Sequence, residues 1–176
     1  MRYGGLEIIL TIVVVVAAWH DIRTRHIPNW IPVSGAVLGL ALQIWHGGLQ
    51  GGLTSIAGAA LGFGIFLPLY VLGGMGAGDV KLFSAVGALV GPSALIIVFV
   101  FTGLLGGLAA GVLAAWKGRL RHTLQQTGEL MFAAGKIQWE HARAVTAAAG
   151  ANPNALRLPY GAVIAAGALL SLAVRH

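Results

Sequence analysis

Cysteine is absent from this 176-residue chain, and acidic residues are scarce. Without a thiol, the chain can form no disulfide framework, no cysteine nucleophile and no cysteine-bound zinc or iron–sulfur site. Charged residues of both signs make up 9% of the sequence, and 5 of them are acidic. Any carboxylate chemistry must therefore come from a short list: Glu7, Asp21, Asp79, Glu129 and Glu140.

Apolar residues dominate what is present. They account for 57% of the chain, and the mean hydropathy is +0.85. A soluble fold of this length cannot bury so much apolar surface, so a lipid bilayer is the predicted surrounding. The 27 glycines agree with this, because small residues let helices approach closely in lipid. The net charge of +6 does not indicate a nucleic-acid partner, since the basic residues are not interleaved with stacking aromatics.

The predicted fold class is all-α, a polytopic membrane protein with about six transmembrane helices plus an interfacial amphipathic helix. A spanning helix needs about 20 mostly apolar residues, and turn or charge signals separate six such stretches. The whole chain, 1–176, is predicted to form a single membrane-embedded domain. The predicted spans are roughly 4–20, 30–46, 52–72, 79–91, 93–115 and 158–174.

The polar segment 117–157 is predicted to lie on the cytoplasmic side or in the membrane interface, before the last span. Within it, 117–146 is predicted to be a helix on the membrane surface, because a loose apolar face opposes basic and polar residues. That apolar face consists of Leu120, Leu124, Met131, Phe132 and Trp139.

The basic residues are distributed unevenly between the two sides that six spans define. Cytoplasmic loops carry an excess of Lys and Arg, so the richer side is predicted to be cytoplasmic. This places both termini outside the cytoplasm and the loops of Asp21 and Asp79 at its face. Because basic residues follow the first apolar run, that run is predicted to be an anchor rather than a signal peptide. The richer side holds Arg23, Arg25, Lys81, Lys117, Arg119, Arg121, Lys136, Arg143 and Arg157, against Arg2 and Arg175 on the other.

Asp21 and Asp79 are the aspartates of the chain. Taken singly, Asp21 could simply end the first helix, and Asp79 could be the N-cap of the fourth, a position that favours Asp. Taken together, they lie at the same depth on the same side and can meet. Two neighbouring carboxylates share a proton, and aspartic proteolysis uses this state to activate water and protonate the peptide carbonyl. A helix N-terminus favours an anion, so Asp79 is assigned as the ionised partner and Asp21 as the protonated one.

The segment Gly73–Gly78 is a flexible, glycine-rich entry to the Asp79 helix. It lacks the Lys-Ser/Thr pair of a phosphate-binding loop, so Gly76 and Gly78 are predicted to bind an extended substrate backbone instead. Lys81 either faces the substrate or is an interfacial charge. The 6 histidines show no metal-ligand spacing, so neither a metal nor another cofactor is expected.

Three motifs resemble those of the type IV prepilin peptidases, within them the short forms associated with Flp or tight-adherence pili. The first is DIRTRHIPN at 21–29, similar to an Asp followed by basic residues and Ile-Pro-Asn. The second is GMGAGDVKL at 74–82, which resembles a Gly-x-Gly-Asp signature with a trailing Lys. The third is LPYG at 158–161, similar to Ile/Leu-Pro-aromatic-Gly. The motifs occur in the order that the family has.

This resemblance implies an aspartic endopeptidase of the bacterial inner membrane, with Asp21 and Asp79 as its catalytic pair. Its substrate would be a prepilin or pseudopilin, cleaved after a leader glycine at the cytoplasmic face. Longer family members carry an insertion with paired Cys-x-x-Cys motifs, which this sequence lacks. Cleavage without N-methylation is therefore expected.

Three alternatives stay open at the level of sequence. An intramembrane peptidase of the presenilin or signal-peptide-peptidase type shares Gly-x-Gly-Asp, but its first Asp follows a Tyr inside a span, whereas His20 precedes Asp21. A proton-coupled transporter would place further acidic groups at mid-membrane depth, and Glu7 is the one further candidate. A structural assembly subunit would tolerate replacement of either aspartate by asparagine.

Overall fold

Four helices form the regular structure of the residues that the computed structural model describes, which are 4–71, 75–116 and 159–175. We number them α1 to α4 in chain order. No strand occurs in these three ranges, which confirms the all-α prediction for the described part of the chain. The helices are α1, Gly4–Thr24; α2, Trp30–Val71; α3, Ala77–Trp116; and α4, Tyr160–Arg175.

Helix α1 ends at a clear backbone signal. Arg25, the residue after it, adopts the left-handed conformation with φ 51°, which is typical of the position that follows a helix. The Thr24 hydroxyl donates to the carbonyl oxygens of His20 and His26 at 2.8 and 3.0 Å. Pro28 then keeps the chain extended, because the residue before a proline avoids helical geometry. A short segment therefore separates α1 from α2.

Helix α2 reverses direction at Gly48, which has φ 56° and ψ −142°. A straight helix of 42 residues would be about 63 Å long, twice the thickness of a bilayer core of about 30 Å. The backbone of Gly51 instead lies against the carbonyl group of Gln43. Glycine is suited to this turn, because a side chain is disfavoured at a positive φ.

Helix α3 reverses in the same way at Gly91, with φ 77° and ψ 170°, and Pro92 follows the turn. The rings of Phe83 and Phe99, on opposite sides of Gly91, have centroids 6.2 Å apart. Pro92 has no backbone N–H to donate, so it is tolerated at the first position of a new helical run. The two halves of α3 therefore pack against each other.

The described residues form four helical elements and do not support six separate transmembrane helices; α2 and α3 each contain two helical runs joined at one glycine. The breaks predicted at 47–52 and 91–92 are turns inside α2 and α3, because helical geometry resumes directly after a single glycine. Among the described residues, three helices are long and apolar enough to cross a membrane by length and composition: Gly4–Thr24, Trp30–Val71 and Ala77–Leu113. Tyr160–Val174 is a shorter apolar helix. The predicted interfacial helix at 117–146 lies outside the described residues.

Small residues and buried hydroxyl groups hold α2 against α3. The backbone of Gly39 lies against Ala88 and Leu89, and that of Gly58 lies against Gly87, so both halves of α2 flank the first half of α3. Ser55 donates its hydroxyl to the Ala88 carbonyl oxygen at 2.9 Å, in a buried position. Close backbone approach and hydrogen bonds across helices are the means by which helices associate in lipid.

We expect Gly58→Ala to destabilise the fold by about 1–3 kcal/mol, as overpacking does in tight cores. A Cβ at Gly58 would overlap the Gly87 carbonyl oxygen, and a Cβ at Gly64 would meet no atom within 4 Å. Gly64→Ala is therefore the matched control on the same helix. Unfolding of the two purified variants in detergent, followed by tryptophan fluorescence, measures the difference. Equal stability of the two variants would contradict the close contact.

Candidate active site

Asp21 lies in the last turn of α1 and continues the buried face of that helix, after Leu10, Val14 and Ala17. Its side chain is 7% exposed. The Gly161 N–H donates to Asp21 Oδ2 at 2.8 Å, in a buried position. The first N–H groups of a helix have no partner within it, so this carboxylate satisfies one from the first turn of α4. Asp21 therefore joins the end of α1 to the start of α4.

Asp79 lies in the first turn of α3 and is 8% exposed. It is the third residue of the helix, not its N-cap. Gly76 N–H donates to Asp79 Oδ2 at 3.1 Å, and Asp79 N–H donates to the Gly76 carbonyl oxygen at 3.1 Å. A side chain that returns to the backbone N–H just before its helix is the arrangement of a capping box. The carboxylate is thus held over the helix start.

Ile27 connects the surroundings of the two aspartates. This side chain is buried, and its Cβ lies 3.1 Å from the point that a Cβ of Gly78 would occupy. Its Cδ1 lies 2.9 Å from the corresponding point at Gly161. The starts of α3 and α4 therefore meet around Ile27, with Asp79 in the first turn of α3 and Asp21 bonded to the first turn of α4. The structure brings the two aspartates to one end of the bundle.

The other residues that the sequence proposed lie around Asp79. Gly76 contributes its backbone N–H to Asp79, and Gly78 makes room for Ile27. Lys81 is exposed, and its Nζ donates to Asn29 Oδ1 at 2.9 Å. The bond joins the DIRTRHIPN motif to the GMGAGDVKL motif. A substrate-binding role of Gly76, Gly78 and Lys81 stays a prediction.

Sequence reasoning gave no role to Ile27, Tyr160 or Gly161. A signal was present, since Pro159 and Gly161 open an apolar stretch, and Pro is favoured where a helix begins. This signal predicted the start of a helix but not the contact of its first turn with Asp21. Tyr160 directly precedes Gly161 in the first turn of α4 and so lies at the same end of the bundle.

Two buried carboxylates at one site can perform acid–base chemistry. Such a pair holds one proton between its members, so that one carboxylate accepts a proton while the other donates one. Further polar groups lie at this end of the bundle. They are the side chains of Asn29 and Lys81 and the backbone N–H groups of Gly76 and Gly161. The arrangement fits hydrolysis by an activated water molecule.

A family model, the type IV leader peptidase family, matches residues 8–111. The match covers more than half of the chain and includes both aspartates. No solved structure matches the chain.

Curated proteins with related sequences carry the name prepilin leader peptidase/N-methyltransferase. The protein from Neisseria gonorrhoeae is 32% identical over 146 residues, which are 77% of this chain and 50% of the relative. The protein from Bacillus subtilis is 34% identical over 134 residues, which are 68% of this chain and 50% of the relative. This chain thus spans about half the length of these relatives. It belongs to the type IV leader peptidase family.

Proposed function

We propose that the protein is a membrane aspartic endopeptidase that removes the leader peptide of type IV prepilin-like proteins. The observation that carries the proposal is that Asp21 and Asp79, two buried carboxylates from distant parts of the chain, lie at the same end of the bundle. Membership in a leader peptidase family supports the reaction class. The names of the relatives support a prepilin as substrate.

In the proposed reaction, one aspartate is ionised and takes a proton from a water molecule that attacks the peptide carbonyl carbon. The other is protonated and donates to the carbonyl oxygen, so charge does not accumulate on the tetrahedral intermediate. Each carboxylate accepts an N–H at a helix start, Asp79 at α3 and Asp21 at α4, so the helix N-termini do not distinguish the two. The assignment of Asp79 as the base and Asp21 as the acid stays a prediction. Proton return to the leaving amine then releases the leader.

A prepilin leader is short and basic and precedes an apolar helix. We propose that this helix enters the lipid beside the enzyme while the cleavage site reaches the aspartates. The enzyme surface near Asp21 is apolar and exposed at Trp19, Ile22 and Trp30. The bilayer would then supply much of the binding, because it confines the enzyme and the substrate helix to the same layer.

The proposal is tested with the purified full chain in liposomes and a peptide that contains a prepilin leader and its apolar helix. We expect a single cut after the leader glycine. A chelator should leave the rate unchanged, because the proposed mechanism uses carboxylates alone. Absence of cleavage together with proton-driven solute flux would overturn the proposal in favour of a transporter.

The contact between Lys81 and Asn29 gives a further prediction for this assay. We expect Lys81→Met and Asn29→Ala each to lower kcat/KM by about fivefold, because an exposed hydrogen bond contributes modestly. If the two side chains act only through their mutual hydrogen bond, the double variant has the same kcat/KM as the less active single variant. Multiplied effects of the two changes would show instead that Lys81 acts on the substrate separately.

We further propose that the aspartates face the cytoplasm in the bacterial inner membrane, as the distribution of Lys and Arg predicts. Helices α2 and α3 would each cross twice, since each reverses at one glycine. Accessibility of single cysteines to a membrane-impermeant reagent tests this topology, and the chain offers a cysteine-free background.

Cleavage without N-methylation is proposed on the basis of the missing Cys-x-x-Cys motifs. Mass spectrometry of the mature product, formed in the presence of a methyl donor, decides the question. A methylated N-terminus would contradict the proposal and leave the peptidase assignment unaffected.

A further inference from the structure

Two exposed arginines, Arg23 and Arg25, lie where α1 ends. Among the described residues, no carboxylate forms an ion pair with either of them. Asp21, two positions before Arg23, is buried and accepts the Gly161 N–H instead. The two positive charges are therefore available to an anionic partner.

The backbone of Arg25 has a conformation that favours glycine. Its φ of 51° lies in the left-handed region, and its N–H donates to the Asp21 carbonyl oxygen at 2.8 Å. Glycine or asparagine adopts this conformation after a helix more readily, because a longer side chain brings steric cost. A residue that occupies a disfavoured conformation indicates a use for its side chain. The exposed side chain of Arg25 is therefore a candidate binding group.

The length of α1 places these arginines at a membrane boundary. The helix has 21 residues and is about 31 Å long, which matches a bilayer core of about 30 Å. Trp19 and Trp30, near the end of α1, are 57% and 60% exposed. Tryptophan is enriched where a bilayer meets water, because its ring has an apolar body and a polar N–H. Arg23 and Arg25 therefore lie at the level of the lipid headgroups.

Cationic, aromatic and apolar side chains adjoin one another at the end of α1. Trp19 precedes Ile22 by three positions and Arg23 by four, a spacing that places neighbours on one helix face. The Arg23 guanidinium carbon lies 4.2 Å from the centroid of the Trp19 ring. Ile22 is 63% exposed, and the Trp30 ring contacts that of His20 edge-on, with centroids 6.3 Å apart. An amphiphile with an anionic head and a hydrocarbon chain would find a matching group for each part.

We propose that Arg23 and Arg25 bind the phosphate of an anionic phospholipid, whose acyl chain contacts Trp19 and Ile22. A guanidinium group can donate two parallel hydrogen bonds to phosphate oxygens. A headgroup with a net negative charge attracts the arginines more strongly than a zwitterionic headgroup, whose own cation opposes them. The bound lipid would hold the end of α1 at the membrane boundary. This binding does not depend on peptidase activity, so it can be tested separately from the proposed function.

The test uses the purified full chain in detergent, titrated with phosphatidylglycerol or phosphatidylcholine of identical acyl chains. Native mass spectrometry measures binding. We expect phosphatidylglycerol to bind about tenfold more tightly, because charge-assisted hydrogen bonds to the two arginines favour the anionic lipid. The double variant Arg23→Gln with Arg25→Gln should abolish this preference, and replacement of both by lysine, which keeps the charges, should retain most of it. Arg175→Gln is the control, because it removes a positive charge from the far end of α4, and it should keep the full preference.

A second measurement on the native chain keeps the test decisive if the double variant fails to fold. A bound lipid raises the unfolding temperature, so phosphatidylglycerol should raise it more than phosphatidylcholine at low salt. In about 1 M salt, where charges are screened beyond about 3 Å, this difference should nearly vanish. Equal binding of the two lipids would overturn the proposal, and so would a preference that survives the loss of both arginines. Binding of soluble glycerol phosphate as tightly as the lipid would overturn the assignment to a lipid.

Discussion

Replacing either Asp21 or Asp79 by asparagine is expected to lower the rate of leader cleavage by about a thousandfold or more, while the protein still folds. Asparagine has the same shape as aspartate but neither accepts nor donates the proton that the reaction requires, and such proton transfer contributes about 10²–10⁴ in rate. The measurement is single-turnover cleavage of a prepilin peptide in liposomes by the native chain and the two variants.

Asparagine also separates the catalytic hypothesis from a purely structural one. Its side-chain oxygen can still accept the N–H of Gly161 at position 21, or that of Gly76 at position 79, so the helix-end contacts remain. If the aspartates served only these contacts, both variants would keep their activity.

The matched control for this prediction is Glu140→Gln, which removes a carboxylate from the segment 117–157, to which no catalytic role is assigned. We expect it to cleave at the native rate. Full activity in either aspartate variant would contradict the proposed pair, and so would equal loss of activity in the Glu140 variant.

Gly161→Ala is expected to lower kcat by about tenfold. A Cβ at this position would lie 3.0 Å from Asp21 Oδ2 and 2.9 Å from Ile27 Cδ1, so the ends of both side chains must shift. A shift of about 1 Å in a reacting group can cost about 10²-fold in rate, and the smaller shift of the Asp21 carboxylate costs correspondingly less. We describe Gly161 as a positioning residue, because its N–H acts on Asp21 and not on the substrate.

Gly103→Ala is the control, since a Cβ at Gly103 would meet no atom within 4 Å. The two variants are compared in kcat, KM and unfolding temperature. A lower kcat with unchanged KM and unchanged unfolding temperature indicates that the Asp21 carboxylate has moved from its reactive position. A lower unfolding temperature with native kcat in the remaining folded protein would contradict the positioning role.

Sequence reasoning predicted the local features of this protein better than the contacts between distant segments. The distribution of Lys and Arg predicted that Asp21 and Asp79 lie on the same side of the membrane. The structure brings the two residues to one end of the bundle. The glycines at 47–48 and 91 were identified as breaks, since glycine followed by proline or another glycine is a local signal. Whether such a break is a loop or a single-residue turn depends on how the helical runs before and after it pack against each other. The residues next to the break do not reveal that packing.

The contacts around Ile27 show the same limit. Ile27 stands in a motif whose Asp and Pro were informative, yet nothing in its own neighbourhood predicts that Gly78 and Gly161 would pack on it. The Gly161 hydrogen bond to Asp21 joins residues 140 positions apart. In the structure Asp21 shares a buried face of α1 with Leu10, Val14 and Ala17, and helical spacing alone does not identify the helix that covers that face.

The bond from Gly161 to Asp21 also bears on how the protein is made. Asp21 emerges early from the ribosome, and its partner N–H follows 140 residues later. At about 5–20 residues per second, the interval is on the order of ten seconds. Until α4 has been synthesised and inserted, the nascent chain holds an incomplete site. On the proposed function, cleavage would therefore be slow until α4 packs against Asp21.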